Sequence, residues 1–475
     1  MARGAAFFDL DRTLLAGASG ELFSEAIHRA GLSTGPLPGE KFLYGLFHRI
    51  GETLPAMAIA RQGVTAAKGR SSAAVREAAE TVVEQLVALV QPFARTAFTT
   101  HRDAGRPIVL ATTTPYDLVK PLADALGFDD AVATRYAVDS EGNYDGTLDG
   151  PFVWSAGKLA AVTAWAEDHD VDLAESWAYS DSFYDTPMLD AVGHPVVVNP
   201  DPRMVLMAAA RRWPTANLDV SPGVVKIPVV GLEVQDVARR LTHPAMYPYA
   251  RFDIGAVDSI PDTGPCILVG NHRSYFDVVA MSLVIAKAGR SARFLGKKEV
   301  FDAPIVGQAA AAMGGIRVDR ATGSNEPLRA AADALDGGEM VALMPQGTIP
   351  RGAAFFDPEL RGRWGAARLA QMTGAPVIPV GLWGTERVWP RSKRVPNVFN
   401  LTDPPVVRVR VGQPVGLKGR SLAADTKRIM TAIAGELPPE ARESHTPTRD
   451  ELLATFPPGY SGDPEQEVAR RPGED

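Results

Sequence analysis

The chain holds one cysteine, Cys266, in 475 residues. An intrachain disulfide is therefore excluded, and the chain suits a reducing compartment. Long apolar runs are missing as well. A stretch such as "VVAMSLVIA" at 278–286 falls well short of the ~20 residues a membrane-spanning helix needs. The first residues lead straight into a strand-like stretch, so no signal peptide is expected. Basic excess is also lacking: 49 lysines and arginines face 56 acids, for a net charge of −7. That balance argues against a nucleic-acid partner. No internal repeat or low-complexity run occurs. What remains is an ordinary globular composition, long enough to need more than one core.

Strand and helix signals alternate, which predicts an α/β fold in two domains. The first, residues 1–205, reads as a Rossmann-like parallel sheet. Its strands are Ala5–Phe8, "PIVLA" (107–111), "SWAYS" (176–180) and "PVVV" (195–198). Helical periodicity over about 16–98 predicts a cap inserted after the first strand. Residues 206–250, broken by five prolines, read as a linker with one short helix at "VQDVARRL" (234–241). A second α/β domain follows over 251–436. Its strand candidates are "CILVGN", "ARFLG", "GIRVD", "MVALM", "PVIPVGL" and "VVRVRVG". The proline- and charge-rich residues 437–475 read as a flexible tail.

The first candidate site begins at "FFDLDRTLL" (7–15), where Asp9 and Asp11 end a strand. "VLATTTP" (109–115) closes a second strand with a hydroxyl cluster. "SAGKLAAVTAWAE" opens a helix with Lys158. "AYSDSFYDTPML" supplies Asp181 and Asp185 in a turn after a third strand. Read singly, each has a structural use: Asp11 or Thr13 can cap a helix, Lys158 can be solvated, and Asp181 and Asp185 can cap the next helix. All four nevertheless fall where strands end, the edge at which open parallel sheets bind ligands. Four aspartates gathered there would repel one another. A hard, oxygen-preferring divalent cation such as Mg²⁺ would neutralise them and draw in a phosphate.

These four pieces, in this order, resemble the haloacid dehalogenase superfamily, and in particular its phosphoserine-phosphatase-like branch with a helical cap. The resemblance implies Asp9 as nucleophile and Asp11 as general acid/base. It implies Mg²⁺ held by Asp9, the Asp11 main-chain carbonyl and Asp181, with Asp185 in support. Thr112 and Lys158 would bind the phosphoryl oxygens. Counting back from "LGFDDA" (126–131) puts Thr112 where such enzymes carry serine. Thr113 and Thr114 replace residues that are often glycine in phosphoserine phosphatases.

The second candidate site is "VGNHRSYFDVV" (269–279), a His-x₄-Asp pattern of His272 and Asp277. Five residues apart on a helix is about 140° of rotation. The pair can therefore meet only if His272 lies in the turn before a helix and Asp277 in its first turn. His272 would then be a general base, and Asp277 would fix its tautomer. A loop histidine beside a chance aspartate is the alternative. "FLGKKEVFDAPIVGQAAAAMGGIRVDR", "LMPQGTIPRG" and "PVIPVGLWGT" come next, in that order.

Together these blocks resemble the glycerol-3-phosphate and lysophosphatidic acid acyltransferases over about 250–420. The resemblance implies a phosphate contact at Arg320 and an acceptor loop at Gly347 and Thr348. It places Pro379 on the acyl-donor side. The third block departs from the usual Phe-Pro-Glu-Gly-Thr-Arg. Gln346 stands for the glutamate and Ile349 for the arginine, which removes a bidentate phosphate donor. Arg351 and Arg317 are candidate substitutes.

A fused enzyme of phospholipid metabolism is the leading expectation. One half would hydrolyse a phosphomonoester with Mg²⁺; the other would move an acyl group from acyl-CoA or acyl-carrier protein to a lysophospholipid such as 1-acylglycerol-3-phosphate. The alternatives are an acyltransferase with a regulatory N-terminal module, and a non-catalytic membrane scaffold. A lipid acceptor predicts a cytoplasmic protein peripheral on the inner face of the membrane. Candidate contacts are "KIPVVGLEV", Trp383, Trp389, "RRW" (211–213) and "RVWPRSKR" (387–394). The alternative is that these tryptophans are core residues and the arginines a solvated face.

Overall fold

In a computed structural model of the chain, the described residues are 3–33, 54–200, 202–221, 224, 226, 232–302, 306–318 and 326–466. They fall into two compact units, 1–222 and 223–475.

The first unit is built on a parallel sheet. Its strands are β1 (Ala6–Phe8), β2 (Ile108–Pro115), β3 (Asp130–Thr134), β6 (Trp177–Ser180), β7 (His194–Val198) and β8 (Thr215–Ala216). The order is β3-β2-β1-β6-β7-β8, and all pairings are parallel. β1 is central and buried on both faces, which explains the adjacent phenylalanines. Successive strand side chains point to opposite faces. Phe8 stacks on Tyr179 at 4.4 Å and meets Phe98 edge-on at 5.1 Å. Phe7 meets Trp165 edge-on from the other core cluster.

Between β1 and β2, where a helical cap is expected, the described residues hold the helices Gly20–Arg29, Leu54–Ala66, Ser72–Glu80 and Val83–Ala88. Within the helical periodicity, the stretch from Ser71 to Arg95 is not one helix. Val82, in a non-helical conformation, separates two pieces, and Pro92 stands before a third, Ala94–Asp103. That third helix packs Phe98 against Phe8 and so supports the sheet. A hairpin of β4 (Tyr136–Val138) and β5 (Tyr144–Leu148), not anticipated from the sequence, packs Tyr144 with Ala67, just past the helix Leu54–Ala66, and with Val75 of the helix Ser72–Glu80.

The second unit carries a mixed sheet. Its strands are β9 (Arg251–Ile254), β10 (Cys266–Gly270), β11 (Ala292–Lys297), β12 (Ile316–Val318), β13 (Met340–Leu343), β14 (Val377–Trp383) and β15 (Val406–Val411). The order is β12-β11-β13-β10-β14-β15-β9. Only β14 and β15 run antiparallel. β10 alternates cleanly between two cores: Cys266 and Leu268 face one, Ile267 and Val269 the other. The six anticipated strands correspond to β10–β15; β9 was not anticipated.

The boundaries differ from the sequence reading. The first unit does not stop at 205: β8 extends its sheet, and the carbonyl of buried Leu218 accepts the Phe93 N–H at 2.9 Å. Nor does 206–250 behave as one linker. The anticipated helix, Val234–Leu241, docks on the second unit, where Gln235 Nε2 donates to the Ala292 carbonyl at 2.5 Å. Buried Arg293 binds Glu233 and Glu339 there. The residues after 436 are packed at least as far as Phe456. Leu437, Leu452 and Phe456 are buried. The helix Arg449–Ala454 opens with a Thr448/Glu451 capping box. Three apolar anchors suffice there, and the flanking prolines and charges hide them from a compositional reading.

Candidate active sites in the two units

Asp9 follows β1 directly, at the carboxyl end of the sheet. The chain then coils through Leu10–Leu14, with Arg12 in the left-handed region at φ 62. That turn brings Asp11 back toward Ser19, whose N–H its Oδ1 accepts at 2.6 Å. Thr13 Oγ1 donates to Asp181 Oδ1 at 3.0 Å and accepts the Asp181 N–H at 2.9 Å. Asp181 follows β6, the neighbour of β1, so parallel pairing sets the two aspartates side by side.

Lys158 lies in the first turn of the helix Ala156–Asp168 and is fully buried. Its Nζ donates to Asp9 Oδ1 at 2.8 Å and to Asp185 Oδ2 at 2.7 Å. A buried ammonium is costly unless paired, and here two carboxylates compensate it. Ser180 Oγ also donates to Asp185 Oδ2. Asp185 Oδ1 is buried with no hydrogen-bond partner. Thr112 is buried at the end of β2, and its Oγ1 accepts the Thr114 N–H. Asp9, Asp11, Arg12, Thr112, Thr113, Asp181 and Ser182 line one pocket. The four motifs separated in sequence thus meet.

Arg12 and Ser180 are not singled out in the sequence, and Thr13 stands there only as a possible cap. Arg12 Nε pairs with Asp181 Oδ2 at 3.1 Å; its only sequence signal is its place inside Asp-x-Asp-x-Thr. Thr13 and Ser180 orient Asp181 and Asp185.

The donor set fits a hard cation. It is all oxygen, with Asp9 and Asp181 on one pocket. Asp11 shares that pocket, Lys158 bridges Asp9 and Asp185, and Arg12 pairs with Asp181. Among the described residues no group of three His, Cys, Asp or Glu side chains closes a metal shell. A cation held there would draw on a main-chain oxygen such as the Asp11 carbonyl beside Asp9 and Asp181.

In the second unit, His272 sits in the turn after β10, and Asp277 is the first residue of the helix Asp277–Lys287. The sequence argument required this placement. His272 Nδ1 lies 2.8 Å from Asp277 Oδ2. Asp277 is fully buried and saturated. Oδ2 also accepts the N–H groups of Arg273 and Ser274, and Oδ1 accepts Thr385 Oγ1–H at 2.6 Å. The His272 N–H donates to Gln346 Oε1 at 2.6 Å. Asn271 clamps the turn to β14 by exchanging two hydrogen bonds with Leu382.

The third block lies against this turn. Gly347 is left-handed at φ 73, and Thr348 follows it, half-buried. A Cβ on Gly347 would stand 2.9 Å from Cδ and Nε of Arg363, so the two residues approach closely. Arg363 Nη2 is buried with no hydrogen-bond partner. Burial lowers the pKa of this guanidinium from its ordinary value. Ile349, where the family pattern has arginine, is buried and apolar. Of the suggested substitutes, Arg317 pairs with Asp302 on an exposed stretch. Arg320 lies outside the described residues. Pro379 is buried within β14. Arg363 was missed because it is sixteen positions from Gly347 in sequence.

Trp383 and Trp389 are half-buried. The Arg273 guanidinium lies between Phe355 and Trp383, at 4.2 and 4.3 Å from their centroids. In "RRW", Arg211 binds Asp190 and covers Trp213. Most of "KIPVVGLEV" lies outside the described residues. Among the described residues no helix is long and apolar enough to cross a membrane.

Both units match families of known proteins. Residues 6–190 match the haloacid dehalogenase-like hydrolase family, and residues 251–383 match the acyltransferase family. Over 219 residues the chain is 35% identical to a probable phosphatase of Mycobacterium tuberculosis, covering 46% of this chain and 76% of that protein. Over 229 residues it is 31% identical to phosphoserine phosphatase SerB1 of the same organism, covering 47% and 74%. Over 195 residues it is 27% identical to the chloroplastic 1-acyl-sn-glycerol-3-phosphate acyltransferase BAT2 of Brassica napus, covering 40% of this chain and 53% of that protein. The chain belongs to the haloacid dehalogenase-like hydrolases through its first unit. Its second unit carries an acyltransferase domain, so the protein joins two enzyme families in one polypeptide.

Proposed function

We propose that the protein is a bifunctional enzyme of phospholipid metabolism. Its first unit hydrolyses a phosphomonoester, and its second acylates a lysophospholipid. The observation that carries this reading is the convergence of two separate constellations: Lys158 bridging Asp9 and Asp185, and His272 paired with buried Asp277.

In the first unit Asp9 attacks phosphorus and becomes an aspartyl-phosphate as the P–O bond to the leaving oxygen breaks. Asp11 donates the proton to that oxygen, then takes one from the water that hydrolyses the intermediate. Lys158 fixes the nucleophile's direction, and Thr112 donates to a phosphoryl oxygen. Asp9, Asp181 and the Asp11 main-chain carbonyl, with Asp185 behind, would hold Mg²⁺, which would supply charge neutralisation for the incoming phosphate.

In the second unit His272 Nε2 removes the acceptor hydroxyl proton while the oxygen attacks the thioester carbonyl of acyl-CoA or acyl-carrier protein. Asp277 holds the ring by Nδ1 and stabilises the imidazolium. Collapse of the tetrahedral species breaks the C–S bond, and the thiolate leaves with the proton from His272. Gln346, Gly347 and Thr348 shape the acceptor side. The Arg363 guanidinium beside Gly347 suits an anionic head group, the role expected of the arginine that Ile349 replaces.

Lipid mass spectrometry tests the pair directly. Purified protein is incubated with acyl-CoA and a panel of lysolipids, and phosphate release is followed from the products. Acylated product that disappears in His272→Ala supports the reading. Unchanged product in that variant removes His272 from it.

A further inference from the structure

The segment that runs on from Trp389, beside the His272 turn, has an unusual surface. Residues 387–402, "RVWPRSKRVPNVFNLT", contain four basic residues and no acid. Val395, Val398, Phe399 and Leu401 are all exposed, Phe399 to 89% and Val395 to 70%. Single exposed apolar residues are common, but four within seven positions form a patch that asks for a partner.

The loop is held by its own hydrogen bonds. Trp389 Nε1 donates to the Lys393 carbonyl at 3.0 Å, the Leu401 N–H to the Phe399 carbonyl at 2.9 Å, and Asn400 Nδ2 to the Asp403 carbonyl at 2.9 Å. Backbone groups satisfied internally lower the cost of entering an apolar phase. Its root is tied to the catalytic turn. Ser274 Oγ donates to the Trp389 carbonyl at 2.7 Å, and buried Arg391 donates to the Ile349 carbonyl at 2.6 Å. Exposed Tyr275, three residues after His272, packs its ring against Trp389 at 5.4 Å between centroids.

We propose that residues 393–401 form a preformed anchor for an anionic lipid surface. Val395, Val398, Phe399 and Leu401 enter the interface, and Lys393 and Arg394, both exposed, meet the head groups. The consequence is that His272 faces the bilayer from which its acceptor comes, a step that rests on the acyltransferase reading. Charge decides the occupant: exposed Lys393 and Arg394 beside the apolar tips match anionic lipid. A second copy is a poorer fit, because a two-fold contact through this loop would set Lys393 and Arg394 against their own copies.

The test is co-sedimentation of the full chain with sucrose-loaded vesicles of phosphatidylcholine, with and without phosphatidylglycerol, and no acyl donor. Wild type is expected to pellet with the anionic vesicles. Phe399→Asp with Leu401→Asp should weaken this by about tenfold or more while the thermal melt stays wild-type. Lys393→Glu with Arg394→Glu should weaken binding to anionic vesicles by about tenfold and leave binding to neutral ones unchanged. The proposal is overturned if wild type stays in solution, if both double variants pellet like wild type, or if Phe399→Asp changes the oligomeric state without lipid. Failure of acyl transfer alone would leave these binding results standing, so the two readings fail separately.

Discussion

At the scale of single residues, Lys158 carries the most information. An ammonium without solvent exposure is tolerable only because Asp9 and Asp185 each accept from it at under 3 Å. Lys158→Met should therefore leave two facing carboxylates uncompensated. We expect phosphomonoester turnover to fall by about hundredfold or more, together with a lower melting temperature. Wild-type turnover of p-nitrophenyl phosphate in that variant would remove Lys158 from the chemistry. Arg363 is its counterpart in the second unit. Arg363→Ala should raise KM for a phosphate-bearing acceptor by about tenfold or more and spare a neutral acceptor; equal effects on both would make Arg363 structural.

Sequence reasoning reached these positions unevenly. His-x₄-Asp demanded a turn-then-helix placement on helical geometry alone, and the structure has it. Arg12, Thr385 and Arg363 were not legible. Arg12 and Thr385 lie inside quoted motifs, but their partners Asp181 and Asp277 are 169 and 108 positions away, and Arg363 lies outside every motif.

At the scale of elements, apolar strand runs were readable because parallel strands are buried on both faces. β8, a two-residue strand, and the β4–β5 hairpin carry no such run, so they escaped notice. The segment after 436 shows the opposite error: its composition is that of a tail, yet Phe456 is 1% exposed. Phe456→Ala should cost about 3 kcal/mol or more of the second unit's stability, read as a shifted denaturation midpoint. An unchanged midpoint would mean that this packing contributes nothing.

At the scale of the whole molecule, two cores serve two chemistries, and acid should affect the first through His101. That imidazole is buried beneath Phe8, accepts from Arg106 Nε and bonds Tyr179. Burial chiefly, and Arg106 second, push its pKa from 6.5 down to about 4. The folded state keeps it neutral, whereas the unfolded chain protonates below about 6.5. Its contribution is thus complete above pH 6.5 and is lost as pH falls toward 4, by about 3 kcal/mol at most. Denaturation of the first unit between those values should show that slope, and His101→Gln should flatten it.

The central claim is that one chain holds two independent active sites. The most direct measurement assays one preparation of full-length protein for phosphate release and for acyl transfer, beside Asp9→Asn and His272→Ala. The account predicts that Asp9→Asn abolishes only phosphate release and His272→Ala only acyl transfer. Phosphate release that survives Asp9→Asn, or acyl transfer that survives His272→Ala, would contradict it.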